Sequence, residues 1–379
     1  MIEMKESTLT EEIKLDSIES ALEDIKAGKI VIVVDDEDRE NEGDFICAAE
    51  CITPDIITFM STHGRGLICT PIQEERAREL GLELMVKENT ALHSTAFTVS
   101  IDLVGRGCTT GISSYDRATG MKAITDPEIK ANDFARPGHI FPLIAKKGGV
   151  LRRTGHTEAA VDLAVMAGYY PAGVLVEILN EDGTMARLPQ LVKIAAKHDL
   201  KIISIKDLVA YRMRNERIVV KELTTQLETK YGQFSVTAFR QTTTNDIHLA
   251  LSMGDLTSDT PSLVRVHSNS ETGDILGMLF DGYATTLKKS LQRIAEEGRG
   301  VLLYMRHGEK TESILDKLKS IDLDPNNNPL PSEEQRDFGT GAQILRELGI
   351  KKIKLISKNP KKRVGLIGYG LEVVEQVTL

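Results

Sequence analysis

Cysteine is scarce in this chain and confined to one part of it. The four cysteines are Cys47, Cys51, Cys69 and Cys108, all in the first third of the 379 residues. They form neither a CxxC pair nor a disulfide framework, so we interpret them as reduced, mostly buried thiols. Because no cysteine follows Cys108, a thiolate metal site cannot be built in the second half.

Long apolar runs and an excess of positive charge are also missing. No run reaches the roughly 18 apolar residues of a membrane span. The first residues lack the basic-then-apolar order of a signal peptide. The sequence therefore predicts no membrane association and a cytoplasmic location. A formal net charge of -9 argues against nucleic acid as the main partner.

The composition indicates a globular chain with more than one core. Hydrophobic residues make up 41% and charged residues 27% of the sequence. A length of 379 residues exceeds the usual size of one domain. The stretch 207–218 changes from apolar to strongly charged. We therefore predict two domains, 1–212 and 216–379, both of α/β class with helices on sheets.

Apolar periodicity predicts the main helices and strands. Asp16 is the expected N-cap of a first helix, and Gly28 is its expected stop. The unbroken β-branched run Ile30 to Val34 is typical of a strand covered on both faces. Further helices are predicted at 157–168, 188–199, 287–298 and early in 341–356. Further strands are predicted at 172–179, 262–268, 300–305 and late in 341–356, and a loop at 322–335.

The run DDEDRENEGD, residues 35–44, raises the first functional question. It places seven carboxylates and one arginine directly after the strand IVIVV. Like charges crowded this closely repel, so the run is either a solvated turn or a place where carboxylates hold a hard cation. Arg39 among the acids suits a site that binds a cation and an anion together.

Two histidine-bearing segments favour the second interpretation. GGVLRRTGHTEAAVDL places Arg153, His156 and Thr157 at the start of an amphipathic helix. The unpaired N–H groups of a helix start attract phosphate, and arginine adds charge-assisted bonds. In ARPGHIFPL, His139 lies between two prolines that restrict the backbone. Capping, core packing or simple loop rigidity are the alternative roles for these histidines.

Seven motifs in the first half carry a family resemblance. They are DDEDRENEGD, GRGLICTPI, STAFTVSID, TTGISSYDRATG, RPGHIFPL, RRTGHTEAAVDLAVMAG and GVLVEILNEDGTMAR. In this order, over about residues 10–212, they resemble 3,4-dihydroxy-2-butanone 4-phosphate synthase of riboflavin biosynthesis. The resemblance implies the substrate D-ribulose 5-phosphate, and the products 3,4-dihydroxy-2-butanone 4-phosphate and formate. It also implies Mg²⁺ or Mn²⁺, and a homodimer with active sites near the subunit interface.

The resemblance also implies residue roles. Glu40 and His156 are the expected metal ligands, and His139 and Glu177 the expected catalytic groups. The expected substrate-binding residues are Arg39, Glu40, Asp44, Arg153, Thr154, Gly155, His156, Thr157 and Glu177. Residues expected to line the pocket are Asp35, Glu37, Cys69 and Thr110. Since Mg²⁺ takes few protein ligands and keeps several waters, substrate oxygens can complete its shell.

Four motifs in the second half resemble GTP cyclohydrolase II, which opens GTP in the same pathway. They are LVRVHSNSETGDILG, IAEEGRGVLLYMR, FGTGAQILRELGIKKIKLI and KNPKK, within about residues 216–365. That family binds zinc through three cysteines, whereas the matching positions here are Ser270, Asp281 and Tyr283. Its glycine-rich RQEGRGIGL is replaced by RHGEKTESIL. Three further matching positions are Lys317, Glu334 (where the family has Asp) and Arg336.

These departures predict a second domain that keeps its fold without catalytic zinc. The spacing of His267, Asp281 and His307 does not support a substitute zinc site. The expected role is structural, regulatory through a degenerate nucleotide pocket, or the docking of another riboflavin-pathway enzyme. The alternative is a bifunctional enzyme that also hydrolyses GTP by unusual chemistry. The sequence leaves these roles open.

Overall fold

The structure is a computed structural model, and it describes residues 14–37, 39–91, 95–269, 283–306, 337–357 and 371–378. The chain divides into two compact units, Met1–Val209 and Ala210–Leu379. Each unit is built on a seven-stranded sheet with helices packed against it. The prediction of two α/β domains is confirmed.

The first unit contains the longer series of motifs. Its strands are β1 Val31–Val34, β2 Gly43–Ala48, β3 Cys69–Gln73, β4 Ile101–Leu103, β5 Phe134–Ala145, β6 Gly173–Glu177 and β7 Ile202–Ser204. Its helices are α1 Ile18–Lys26, α2 Pro54–Phe59, α3 Glu74–Glu79, α4 Ser114–Ile124, α5 His156–Met166 and α6 Leu188–His198. Helix α7, Ile205–Asn215, spans the division between the units. The sheet order is β4-β5-β3-β6-β2-β1-β7.

Strand β1 lies inside the sheet, as its apolar run predicts. It pairs antiparallel with β2 and parallel with β7, and all of its residues are buried. Strand β2 in turn pairs antiparallel with β6, which places Asp44 opposite Glu177. The last residues of β1 and β6 therefore lie at the same end of these neighbouring strands, on either side of the start of β2.

The start of α1 differs from the prediction. The N-cap is Ser17, whose Oγ accepts the backbone N–H of Ser20 at 3.2 Å. Asp16 instead accepts the backbone N–H of Ile202 at 2.9 Å, which ties the chain to β7. The predicted stop is confirmed, since Gly28 follows the helix with a φ of +75° that favours glycine.

The second unit has the sheet order β14-β13-β11-β12-β10-β9-β8. Its strands are β8 Val219–Thr229, β9 Gly232–Gln241, β10 Ile247–Met253, β11 Ser262–Asn269, β12 Gly300–Arg306, β13 Lys352–Ile356 and β14 Glu372–Val377. Two helices lie in the part of this unit that the structure describes, α8 Tyr283–Glu297 and α9 Asp337–Glu347. These include the helices and strands predicted here, while the loop predicted at 322–335 lies outside the described residues. Among the described helices of the chain, none is long and apolar enough to cross a membrane.

Candidate active site

The acidic run forms a turn organised by Asp35. One carboxylate oxygen of Asp35 accepts the backbone N–H of Glu42 at 2.8 Å, and the other accepts that of Glu40 at 3.1 Å. The second oxygen also accepts Nη1 of Arg39 at 2.8 Å. Because the Asp35 side chain is fully buried, these bonds offset the cost of its charge. Asp35 thus orders residues 39–42 of the turn, while Asp36 and Glu37 stay exposed.

A distant arginine anchors the other side of this turn. Nη1 of Arg187, just before α6, donates to the carbonyl of Glu40 at 2.8 Å and to the carbonyl of Asn41. Asn41 has a φ of +55°, in the left-handed region that asparagine tolerates. Arg187 therefore holds the carbonyls of two successive peptide groups. These bonds fix the backbone from which the Glu40 side chain extends.

His156 is the first residue of α5 and faces the same turn. Its Nε2 lies 3.1 Å from the carbonyl oxygen of Val33, which can only accept a hydrogen bond, so Nε2 carries a proton in either charge state of the ring. Nδ1 then faces the carboxylates, 3.9 Å from Glu40 and 4.0 Å from Asp44. A backbone carbonyl that fixes one imidazole nitrogen and leaves the other for a cation is typical of metal-ligating histidines.

The charges of this cluster are strongly coupled. Burial raises the pKa of Asp44 to about 7, an effect that His156 opposes and Glu177 reinforces. Burial lowers the pKa of His156, but the carboxylates of Asp44 and Glu40 outweigh it and raise the pKa to about 9. Burial also raises the pKa of Glu40, yet His156 and Arg39 lower it to about 2. The cluster therefore attracts positive charge.

The geometry fits a divalent cation. Asp35, Glu40 and His156 each offer one ligand atom, and these atoms lie within 4.8 Å of one another. Octahedral Mg²⁺ holds ligands at about 2.1 Å, so two of its ligand atoms lie roughly 3 to 4 Å apart. The 3.9 Å between His156 and Glu40 falls in this range. Within the described part of the chain, Oδ1 of Asp44 is buried without a hydrogen-bond partner, which leaves an acceptor for a bound molecule.

A cleft of about 120 Å³ opens beside this cluster. The predicted residues that line it are Arg39, Glu40, Asp44, Cys69, Arg153, His156, Thr157 and Glu177. Lining residues that the sequence did not single out are Glu42, Thr95, Phe97, Leu143 and Leu175. The predicted residues that do not line it are Asp35, Glu37, Thr110, His139, Thr154 and Gly155. Most of the expected site is thus brought together within one chain.

Arg153 and the start of α5 line part of the cleft. Nη1 of Arg153 donates to Oε2 of Glu158 at 2.6 Å, and Nη2 donates to Oγ1 of Thr95 at 3.3 Å. Thr157 lies in the first turn of α5, and the N-cap Gly155 provides no side-chain cap. The unpaired N–H groups of this turn and the oriented guanidinium are suited to an anionic group.

Glu177 is the last residue of β6 and lines the same cleft. Its Oε2 accepts the backbone N–H of Leu67 at 2.9 Å. The neighbouring Gly66 permits this approach, because a Cβ there would lie 2.5 Å from Oε2. Cys69 lies buried on the adjacent strand β3, and burial raises the pKa of its thiol above the ordinary value. Cys69 is therefore a neutral lining residue rather than a nucleophile.

His139 lies elsewhere, on β5. Its side chain is 44% exposed, and its Nδ1 is 2.7 Å from Oδ2 of Asp102 on β4. Thr110 is exposed in the segment between β4 and α4. Neither residue reaches the cleft of its own chain.

Comparisons with known proteins match both halves of the chain to known families. The family model described as 3,4-dihydroxy-2-butanone 4-phosphate synthase matches residues 19–211, and that of GTP cyclohydrolase II matches residues 220–378. The riboflavin biosynthesis protein RibBA of Cytophaga hutchinsonii is 55% identical, over 97% of this chain and 93% of its own. The chain belongs to the RibBA family. RibBA of Bacillus cytotoxicus is 50% identical, over 96% of this chain and 93% of its own.

Solved structures are also similar to this chain, one over both domains and one over the first domain. RibBX of A. baumannii, described as a two-domain 3,4-dihydroxy-2-butanone 4-phosphate synthase, covers 96% of this chain and 100% of its own. Its sequence identity is 41% and its TM-score 0.77. A 3,4-dihydroxy-2-butanone 4-phosphate synthase in complex with two magnesium ions is 40% identical with a TM-score of 0.51, and covers 53% of this chain and 98% of its own. The predictions of a fused two-domain architecture and of a synthase enzyme are confirmed.

The functional positions expected in the second unit are mostly outside the described residues. Ser270, Asp281, His307, Lys317, Glu334 and Arg336 all fall there, and the side chain of Tyr283 is not described. His267 is described: it is buried on β11, and its ring stacks on Tyr304 with centroids 5.5 Å apart. The loss of catalytic zinc therefore stays a prediction.

Proposed function

We propose that the first unit converts D-ribulose 5-phosphate to 3,4-dihydroxy-2-butanone 4-phosphate and formate. The observation that carries this proposal is the distance of 3.9 Å between His156 Nδ1 and the Glu40 carboxylate. Both residues line a cleft that Arg153 and the first turn of α5 also line. Such a site offers a cation position and an anion position to one small molecule. A phosphorylated sugar ligates a cation through its oxygens and presents a phosphate for the anion position.

Glu40 and His156 would hold Mg²⁺, and Mn²⁺ would satisfy the same ligands. When bound, such an ion acts as a Lewis acid that stabilises negative charge on the oxygens of a ketose. The neighbour solved with two magnesium ions supports a magnesium site of this kind. Asp35 would support the ion indirectly, because its carboxylate already accepts two N–H groups and Arg39.

The remaining cleft residues would bind and orient the substrate. Arg153, Thr157 and the first turn of α5 would hold the phosphate. Arg39 and the buried acceptor of Asp44 would contact the sugar hydroxyls. Phe97 and the other apolar lining residues would exclude water from the reacting carbons. This exclusion would limit side reactions of the intermediates with water.

Proton transfers require groups that touch the substrate, and we assign them to Glu177 and His139. Glu177 lines the cleft and is oriented by the Leu67 N–H. His139 does not line the cleft of its own chain, so a second copy must deliver it. A homodimer with each active site shared between subunits satisfies this requirement.

For the second unit we propose a non-catalytic role. The absence of cysteine after Cys108 supports it, since a three-thiolate zinc site cannot form. RibBX, which spans both domains and is described as a synthase, also supports it. The use we favour is a structural or docking surface for another enzyme of riboflavin biosynthesis. The RibBA name of the relatives and the GTP cyclohydrolase II match favour the alternative, a bifunctional enzyme that also hydrolyses GTP.

A metal-dependence assay tests the proposal on the purified full chain. With ribulose 5-phosphate and Mg²⁺ we expect formate and the butanone phosphate in equal amounts. Chelation with EDTA should stop both, and added Mg²⁺ or Mn²⁺ should restore both. Equal rates with and without chelator would contradict the metal assignment, and the absence of either product would contradict the reaction.

A further inference from the structure

Strand β5 carries a pronounced irregularity at His139. Its pairing with β4 passes directly from Ile101 opposite Ile140 to Asp102 opposite Ala135. Residues 136–139 therefore have no paired residue in the β4 ladder and bulge out of it. A bulge of this kind re-aims side chains at the edge of a sheet, which is common beside active sites.

The bulge is fixed by contacts on both sides. The N–H of Gly138 donates to Oγ of Ser100 at 3.1 Å, and the Arg136 guanidinium donates to the carbonyl of Leu80 at 2.6 Å. Gly138 packs directly on β4, since a Cβ there would lie 2.1 Å from the carbonyl carbon of Ile101. The backbone that carries His139 is thus held in place before any substrate binds.

Asp102 uses both carboxylate oxygens on His139. Oδ1 accepts the backbone N–H of His139 at 2.8 Å, and Oδ2 lies 2.7 Å from Nδ1 of its ring. The Asp102 side chain is 16% exposed, whereas that of His139 is 44% exposed. Gly111 closes over the carboxylate, and a Cβ there would lie 2.1 Å from Oδ2. The pair therefore consists of a sheltered acid and an accessible imidazole.

We infer that Asp102 is a positioning residue that fixes the ring orientation and tautomer of His139, leaving Nε2 to exchange protons with the substrate. Because a carboxylate only accepts, Nδ1 must carry the proton that it shares with Oδ2. Nε2 is then the nitrogen with a lone pair. The same logic orients the imidazole in hydrolase triads, where an acid holds Nδ1–H and Nε2 reacts.

The proton balance is simple. When Nε2 takes a proton from the substrate, the electron pair of the broken bond stays on the substrate and the imidazole becomes a cation. Asp102 stabilises that cation through the bond to Nδ1–H and keeps its own charge. When Nε2 returns the proton, the starting tautomer is restored. The inference rests on the proposed function only in so far as His139 is a catalytic group of that reaction.

The tautomer can be measured without any reaction. We would label the full chain with ¹⁵N-histidine and record the ring nitrogen shifts of His139, assigned by comparison with His139→Ala. We expect the Nδ1–H form in the unsubstituted chain. In Asp102→Asn the amide can donate to Nδ1, so we expect the Nε2–H form. An unchanged tautomer in Asp102→Asn would overturn the inference even if the enzyme were fully active.

Kinetics provide the second measurement. Asp102→Asn should lower kcat by about 100-fold or more, the scale of general acid–base catalysis, with KM changed less than threefold. In a His139→Ala background the same substitution should have less than a twofold effect, because Asp102 acts through His139. Additive losses in the double variant would indicate a purely structural role and overturn the inference.

Asp182→Asn is a matched control. The Asp182 carboxylate also accepts one backbone N–H and one side-chain donor, both from Thr184, in an exposed turn after β6. Its replacement removes the same charge and should change neither the His139 tautomer nor kcat. If the unsubstituted chain shows the Nδ1–H tautomer but forms no product, the proposed reaction is wrong while the Asp102–His139 pairing stands.

Discussion

Nδ1 of His156 lies 3.9 Å from Oε2 of Glu40, and each of the two residues is held by a group from another part of the chain. The Val33 carbonyl takes the Nε2–H of His156. Arg187 holds the carbonyl of Glu40 itself. The pair is therefore preorganised, so cation binding does not have to order the turn first.

The first prediction concerns these two ligands. Glu40→Gln and His156→Ala should each weaken Mg²⁺ binding and lower turnover by roughly 100-fold or more, because each removes a ligand of the Lewis acid. Titration calorimetry with Mg²⁺ and the formate assay measure the two effects. Circular dichroism should show an unchanged fold.

Asp36→Asn is the control for charge in the same turn. Asp36 is exposed, and its backbone carbonyl, which accepts the N–H of Arg39 at 3.0 Å, is kept in the variant. Its Mg²⁺ affinity and turnover should stay within about twofold of the unsubstituted chain. Near-normal turnover in Glu40→Gln or His156→Ala would show that the metal lies elsewhere.

The second prediction concerns Gly66. Gly66→Ala would place a methyl group 2.5 Å from Oε2 and 2.6 Å from the carbonyl oxygen of Glu177, so the carboxylate must move. We expect kcat to fall tenfold or more, on the order expected for a misplaced catalytic group. In Gly341→Ala, by contrast, the new methyl would meet the ends of the Leu303 and Val266 side chains, at 3.3 and 3.9 Å, and activity should be unchanged. Equal activity of both variants would argue against a catalytic role for Glu177.

Some of this site is readable in the sequence because it is encoded locally. The β-branched run Ile30 to Val34 and the carboxylates after it predict a buried strand that ends at a charged turn, and the structure has both. The segment around His156 predicts a helix start, and α5 begins at that residue. Patterns of this kind depend only on neighbours in the chain.

Other parts depend on contacts between distant segments and leave no local pattern. Asp102 looks like an ordinary strand residue in STAFTVSID, and only the irregular pairing of β4 with β5 brings it to His139. Arg187 reaches the acidic turn from the start of α6. At α1, the adjacent residues Asp16 and Ser17 are both of a type that caps helices. Ser17 is the cap because the Asp16 carboxylate accepts the backbone N–H of Ile202.

The third prediction tests the shared active site. His139→Ala and Glu40→Gln should each be inactive alone, since one lacks the imidazole and the other the metal ligand. Mixed after dissociation and reassembly in equal amounts, they should regain about a quarter of the normal activity, because half of the dimers are mixed and each has one complete site. The appearance of activity on mixing, with size measured by light scattering, is the readout. No recovery in a mixture shown to exchange subunits would place both residues in one chain's site.

The fourth prediction concerns the second unit. The full chain should contain no stoichiometric zinc by elemental analysis and should release no formate from GTP. Zinc generates a nucleophile by lowering the pKa of bound water from about 15.7 towards 7, and Ser270, Asp281 and Tyr283 cannot reproduce a three-sulfur shell. Replacing these three residues with cysteine should introduce zinc binding. One tightly held zinc per unsubstituted chain, or GTP turnover, would support the bifunctional alternative.

Isotope labelling tests the central claim most directly. Ribulose 5-phosphate labelled with ¹³C at C4 is incubated with the full chain and Mg²⁺, and the products are followed by NMR. Loss of C4 is the step that distinguishes the proposed reaction from simple isomerisation. We predict that all of the label appears in formate and none in the phosphorylated product. Label retained in a five-carbon phosphate, or formate without label, would contradict the assignment of this activity to the cleft between Glu40, His156 and Glu177.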